Sequence, residues 1–146
     1  MSQEQIAQSY ARAIQDQDFE TLGSLMHPDI VARFPQSGET IRGRDNYVTM
    51  LESYPDLPEA VMSQVSGNER TAVVPSSVPF SPPTVTVFGG DRFIVEGAST
   101  YPDGATFHVV AILHLQGQQV IEETSYYAAP FDPPEWRQAW VELDPA

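Results

Sequence analysis

Three histidines, at positions 27, 108 and 114, are the side chains of this sequence whose ordinary pKa lies near neutrality. His27 precedes Pro28 at the end of an apolar helical stretch, where its charge would meet a helix C-terminus. His114 sits toward the tip of a strand-like segment. His108 stands inside an apolar run and is the one placed to serve as a general acid or base. Its expected partner is Glu123 in the following run, a carboxylate whose pKa partial burial would raise. Candidate substrate contacts accompany the pair: Ser99, Tyr101, Ser125 and Tyr127 on the same C-terminal segments, Tyr10 on an N-terminal apolar stripe, and Phe34 ahead of the turn Pro35-Gln36-Ser37-Gly38. A buried Tyr10 would need a partner for its hydroxyl. The same polar groups could instead form a patch in a subunit interface or under a loop.

Other chemistries lack their residues. The histidines do not have H-x-x-x-H spacing and the chain has no Cys, so no metal site is expected. Neither a G-x-G-x-x-G nor a Walker A sequence occurs, so no nucleotide cofactor is expected either; Gly89-Gly90 reads as a turn. Ser37 has no nucleophile-elbow context. Arg42 and Arg44 flank Gly43, where ion pairing to neighbouring acids is the commoner fate than anion binding.

Helices must come first and strands afterwards. Ile6, Tyr10 and Ile14 recur every four positions with alanines around them, and Ser2 with Gln5 fits a capping box, which predicts a helix from Ser2 to Gln15. Asp18 can cap a second helix carrying Phe19, Leu22, Leu25 and Met26, ended by His27-Pro28. Ile30 to Phe34 reads as a first strand. Asp45 can cap a third helix with Val48, Met50 and Leu51, which must stop before Pro55. Residues 60–65 and 70–74 are possible strands, and the prolines from 75 to 83 impose an irregular connection. A meander follows over 84–88 continuing into 92–101, then 105–115 and 119–128. The tail from 130 to 146 holds a short helical candidate, 135–141, whose Trp136 and Trp140 are expected to dock on the body.

Hairpin geometry then sorts the polar residues. With Asp103-Gly104 as a two-residue loop, Ser99 faces His108 and Tyr101 faces Thr106. With Gly117-Gln118 as another, His108 faces Tyr127, Val110 faces Ser125 and Ile112 faces Glu123. One face gathers Ser99, Tyr101, His108, His114, Glu123, Ser125 and Tyr127; the other carries Phe107, Val109, Ala111, Leu113 and Leu115 for helices to cover. The four-residue offset from Glu123 to Tyr127, roughly 13 Å at ~3.3 Å per residue, rules out a direct dyad. A bulge in either turn would exchange part of the two sets.

Composition bounds the rest. At 146 residues and 16.1 kDa the chain reads as one domain, 1–146, able to bury a core without staples. It is 41% hydrophobic and 18% charged, as globular proteins are. Twenty acids against seven Arg and no Lys leave a net charge of -13, which would repel nucleic acid. No run approaches the ~20 apolar residues of a membrane span, and no basic n-region opens the chain, so a soluble cytoplasmic protein is expected. A sheet with apolar side chains on two faces and helices for only one predicts a homodimer.

The order helix, helix, strand, helix and long meander resembles the nuclear transport factor 2-like superfamily in its SnoaL-like branch. The more specific pieces are Phe34-Pro35-Gln36-Ser37-Gly38-Glu39 with Ile41-Arg42-Gly43-Arg44, Tyr101-Pro102-Asp103-Gly104, and Glu122 to Phe131 leading to Pro134-Glu135-Trp136-Arg137. The resemblance implies an α+β cystatin-like cone: N-terminal helices packed on a curved, mostly antiparallel β-sheet. It also implies an apolar pocket in the open end and a homodimer that commonly pairs through the outer sheet face. It implies the acid–base chemistry of ketosteroid isomerases, polyketide cyclases, dehydratases and epoxide hydrolases. Tyr10 falls where the isomerases place an oxyanion-hole tyrosine. Residues 30–34 hold no carboxylate where their base stands, and 105–115 hold none for their second oxyanion donor. The cyclases use a His and an Asp on the meander, for which His108 and Glu123 or Ser125 are the nearest counterparts. Two readings stay open: a cofactor-independent isomerase, cyclase or dehydratase acting on a small apolar cyclic carbonyl compound, or a non-catalytic ligand-binding or dimerisation module.

Overall fold

The computed structural model describes residues 1–55, 57–67, 73–75, 84–86 and 90–144. Helix α1, Gln3–Gln15, starts as its capping box requires: the Gln5 amide N–H donates to Ser2 Oγ at 3.2 Å, and the Ser2 N–H donates to Gln5 Oε1 at 2.8 Å. Its stripe of Ile6, Ala7, Tyr10, Ala11 and Ala13 is buried. Helix α2, Phe19–Leu25, is capped by Asp18, which accepts from the Thr21 N–H at 3.1 Å.

Strand β1, Met26–Phe34, begins directly after α2, four residues earlier than the apolar run suggested. His27 and Pro28 therefore lie in a strand and not at a helix terminus, and the Asp29 N–H donates to His27 Nδ1 at 3.0 Å. Strand β2, Glu39–Arg42, pairs back on β1 and was not read from the sequence. Helix α3, Arg44–Glu52, has Gly43 and not Asp45 at its N-cap; the Gly43 N–H donates to Ile30 O at 2.8 Å, fastening the turn to β1.

Strand β3, Glu59–Gly67, confirms the possible strand at 60–65. Strands β4, Val73–Pro75, and β5, Thr84–Thr86, form a separate two-stranded ribbon, so 84–86 do not open the meander. The expected irregular loop at 76–83, the start of the candidate strand at 70–72, and Gly89 lie outside the described residues. Strands β6, Arg92–Thr100, β7, Thr106–Gln116, and β8, Gln119–Ala128, complete a six-stranded sheet in the order β2-β1-β8-β7-β6-β3. All neighbours are antiparallel except β1 and β8, so the sheet is mixed, open and curved. The helices pack on its concave face, an α+β cone. Leu22, Met26, Ile30, Phe93, Leu113, Leu115 and Val120 fill the space between.

Both hairpins differ from simple two-residue geometry in a way that matters for the site. Between β6 and β7 the Tyr101 N–H donates to Ala105 O and the Gly104 N–H to Tyr101 O, both at 2.9 Å, leaving a three-residue loop of Pro102, Asp103 and Gly104. Gly104, at φ 88, supplies the left-handed residue such a loop needs. The register therefore moves by one: Ser99 faces Phe107, and His108 faces Ala98. Between β7 and β8 the two-residue loop at Gly117-Gln118 is as expected, with Gln116 facing Gln119. A bulge then intervenes. Leu115 pairs with Val120 but His114 pairs with Glu122, leaving Ile121 as the extra residue. Beyond it Ala111 faces Ser125, Leu113 faces Glu123 and Val109 faces Tyr127.

The tail carries a short 3₁₀ turn, Glu135–Trp140, where a helix was expected. Its tryptophans do not dock on the body: Trp136 is 75% and Trp140 79% exposed.

Candidate functional site

The two register changes redistribute the polar row. Glu123, Ser125, Tyr127, Ser99 and Tyr101 share the inner face with Val109, Ala111 and Leu113, under the helices. His108 goes to the outer face, where it is exposed between Ala98 and Ala128, and so does His114, which lies 3.8 Å from Asp91. The expected His108–Glu123 pair is thereby corrected: the two side chains stand on opposite faces of the sheet.

Glu123 is 1% exposed. Tyr10, from α1, donates its hydroxyl to Oε1 at 3.0 Å, and Tyr47, from α3, donates to Oε2 at 2.5 Å. The Ser125 side chain, two residues along the strand on the same face, also favours the charged carboxyl. Burial raises the pKa of Glu123 above the ordinary carboxylate value, against the lowering pull of the Tyr47, Tyr10 and Ser125 hydroxyls. Burial, and then the nearby Glu123 charge, push Tyr10 and Tyr47 well above the ordinary phenol, so both remain hydroxyl donors. Tyr47 was missed in the sequence. Its signal was helical spacing, since Tyr47, Met50 and Leu51 make one stripe on α3 once the helix is placed.

Above this cluster the inner face opens into a cavity of about 440 Å³. Its apolar wall comes from Ile14 of α1, Phe19 of α2, Phe34 of β1, Ile41 of β2, Met50 and Leu51 of α3, and Leu57. Its polar lining is Gln17, Gln36, Ser37, Glu39, Tyr54, Ser99, Tyr101, Ser125 and Tyr127. No Arg or His lines it among the described residues, so nothing there would neutralise an anionic ligand. Glu123 does not line it. Ser125 links the two: it is on the cavity wall, and its side chain pulls the Glu123 carboxyl toward its charged form.

The other walls are fixed by their own contacts. The Tyr127 N–H donates to Gln36 Oε1, which ties β8 to the β1–β2 turn, and the Tyr127 ring sits 6.4 Å from that of Phe34. Tyr54 and Tyr101 bring their hydroxyl oxygens to 3.5 Å, and Tyr101 packs edge-on to Phe107 at 5.2 Å. Burial and the Tyr54 hydrogen bond raise Tyr101 to about 12, and burial next to Glu123 raises Tyr127 as well. Of the sequence-derived candidates, Phe34, Ser99, Tyr101, Ser125 and Tyr127 meet at the cavity. Tyr10 and Glu123 meet each other just beneath it, and His108 reaches neither.

A family model described as a SnoaL-like domain matches residues 7–123, which takes in the helices and the sheet as far as Glu123. The chain belongs to the SnoaL-like family. Solved structures agree on the fold of this SnoaL-like protein. An NTF-2 like protein from Burkholderia xenovorans is 24% identical with a TM-score of 0.75, covering 98% of this chain and 95% of its own. A Kribbella flavida protein provisionally named a ketosteroid isomerase is 20% identical at a TM-score of 0.76, covering 99% and 90%. An LEH-like epoxide hydrolase from M. tuberculosis is 15% identical at 0.62, covering 86% and 81%. These likenesses show that the SnoaL-like chain shares the fold of NTF2-like proteins. No curated protein matches its sequence. Among the described residues no helix is long and apolar enough to cross a membrane.

Proposed function

We propose that this SnoaL-like protein binds a small, uncharged, mainly apolar compound bearing a hydrogen-bonding oxygen, of the cyclic carbonyl class, and moves a proton on it without a cofactor. The observation that carries the reading is Ser125, a hydroxyl on the cavity wall that also acts on the fully buried Glu123 carboxyl, favouring its charged form. With its pKa raised, Glu123 holds a proton closer to neutral pH than an exposed carboxyl does. As Glu123 gives that proton to Ser125 Oγ, Ser125 passes its own to the ligand oxygen, and the reverse transfer returns it. Tyr10 and Tyr47 stabilise the carboxylate so formed by donating to both its oxygens. Isomerisation, cyclisation or dehydration would each use such a step, as the fold's ketosteroid isomerase and epoxide hydrolase neighbours suggest.

One observation favours a second reading, a non-catalytic binding pocket: Glu123 does not line the cavity, and both its oxygens are already bonded by tyrosines. A panel of uncharged cyclic ketones in D₂O separates the two. Binding with deuterium exchange at the ketone's α-carbon, whose proton leaves to solvent while Ser125 protonates the oxygen, lost by roughly 10²-fold or more in Glu123→Gln while binding persists, supports proton transfer. Binding without exchange leaves the binding reading, and exchange indifferent to Glu123→Gln overturns Glu123 as the proton source. We further propose that two copies pair through the outer sheet face, where Val61, Val110 and Tyr126 are exposed. A mass near twice 16.1 kDa in solution is the expected result.

A further inference from the structure

The tail holds large apolar side chains in solvent. Phe131 is 78% exposed, Trp136 75%, Trp140 79% and Leu143 74%. Pro130 just before them, and Pro133 and Pro134 between them, favour an extended backbone. Among the described residues the 3₁₀ turn Glu135–Trp140 has no substantial packing against any helix or strand. An extended arm bearing aromatic rings at this density is unfavourable in water unless something covers it.

A second uncovered apolar surface lies on the same chain. The outer sheet face presents Val61, 62% exposed, with Val110 and Tyr126 beside it, and Ala98 and Ala128 in the row of His108. The arm leaves the sheet at the end of β8, two residues beyond Tyr126, and so begins at the border of that face.

We propose that the arm is an interchain strap. In a dimer of this chain each arm lies along the rim of the partner copy's outer sheet face, beside the face-to-face contact, with Trp136 and Trp140 as its anchors. The inference rests on the pairing of copies proposed above but names a contact that pairing does not require. A two-fold arrangement covers both arms and both faces at once, which no foreign partner is needed to achieve. The area also suffices. Phe131, Trp136 and Trp140 would each bury roughly 150 Å², about 900 Å² from the two arms together. With the surface beneath them this reaches the ~1,200–2,000 Å² of a stable interface.

Both tryptophans of the chain are on the arm, so intrinsic fluorescence reports on the arm alone. The full chain is followed by tryptophan emission, acrylamide quenching and sedimentation across a dilution series. The strap predicts blue-shifted, poorly quenched emission while the mass is dimeric, moving to solvent-exposed emission in step with dissociation. Trp136→Ser with Trp140→Ser, checked for folding by circular dichroism, weakens the dimer roughly 30-fold or more, as loss of aromatic anchors does. Val110→Asp, outside the arm, should also expose the tryptophans. A dimer whose tryptophans stay fully quenchable overturns the strap while sparing the face-to-face pairing. A monomer at every concentration overturns both. Shielded tryptophans in a monomer overturn the strap too, because the arm would then lie on its own chain.

Discussion

Glu123 is held by competing forces: burial disfavours its charge, while Tyr10 and Tyr47, hydrogen-bonded to it, and the Ser125 hydroxyl favour it. Burial prevails, so the folded chain holds this proton more tightly than the unfolded chain, where the carboxyl titrates near its ordinary value of 4.5. The sign follows. The stabilising contribution is whole below that ordinary value and is lost as pH rises through the raised folded value. Glu123→Gln cannot ionise, so the melting temperature of the variant minus that of the parent should become more positive with pH across this window. A pH-independent difference would contradict the assignment. Tyr47→Phe should cost about 1–3 kcal/mol, because it leaves Oε2 without its tyrosine donor. For a chain of this size that is a drop of roughly 3–10 °C in a thermal melt.

At the scale of elements, the site exists because two hairpins depart from the simplest geometry. The three-residue loop ending in Gly104 and the bulge at Ile121 each move the register by one, and together they turn Glu123, Ser125 and Tyr127 toward the helices while His108 turns away. The helices, their first two caps and the strand order of the meander were legible in the sequence because period, cap residues and turn residues all act locally. The bulge was not, since no Gly or Pro marks Ile121. His108 was accordingly misplaced. Strand β2 was hidden for a similar reason: four residues with only Ile41 half-buried give too little alternation to read. Gly104→Ala should destabilise the chain by about 1–2 kcal/mol through its left-handed backbone, and Gly104→Asn by less. Equal melting temperatures for Gly104, Ala and Asn forms would show that this loop does not set the register.

Across the whole molecule, charge and cavity point the same way. The chain carries a net charge of -13, and Glu39 is the charged side chain on a cavity wall with no Arg or His among the described residues. A ligand bearing a carboxylate should therefore bind at least about 10-fold more weakly than its methyl ester at low salt, with the gap narrowing as salt screens the field. Calorimetric titration of such a pair checks this, and tighter binding of the acid would refute it. The link between cavity and carboxyl is the centre of the account, and it is read most directly from the ¹³C signal of the Glu123 side-chain carboxyl, assigned by its absence in Glu123→Gln. The signal is titrated with pH, with and without a saturating uncharged cyclic ketone. A titration midpoint above the ordinary carboxylate range that moves when the ketone fills the cavity is the predicted result. A midpoint in the ordinary range, or one indifferent to the bound ketone, would contradict it.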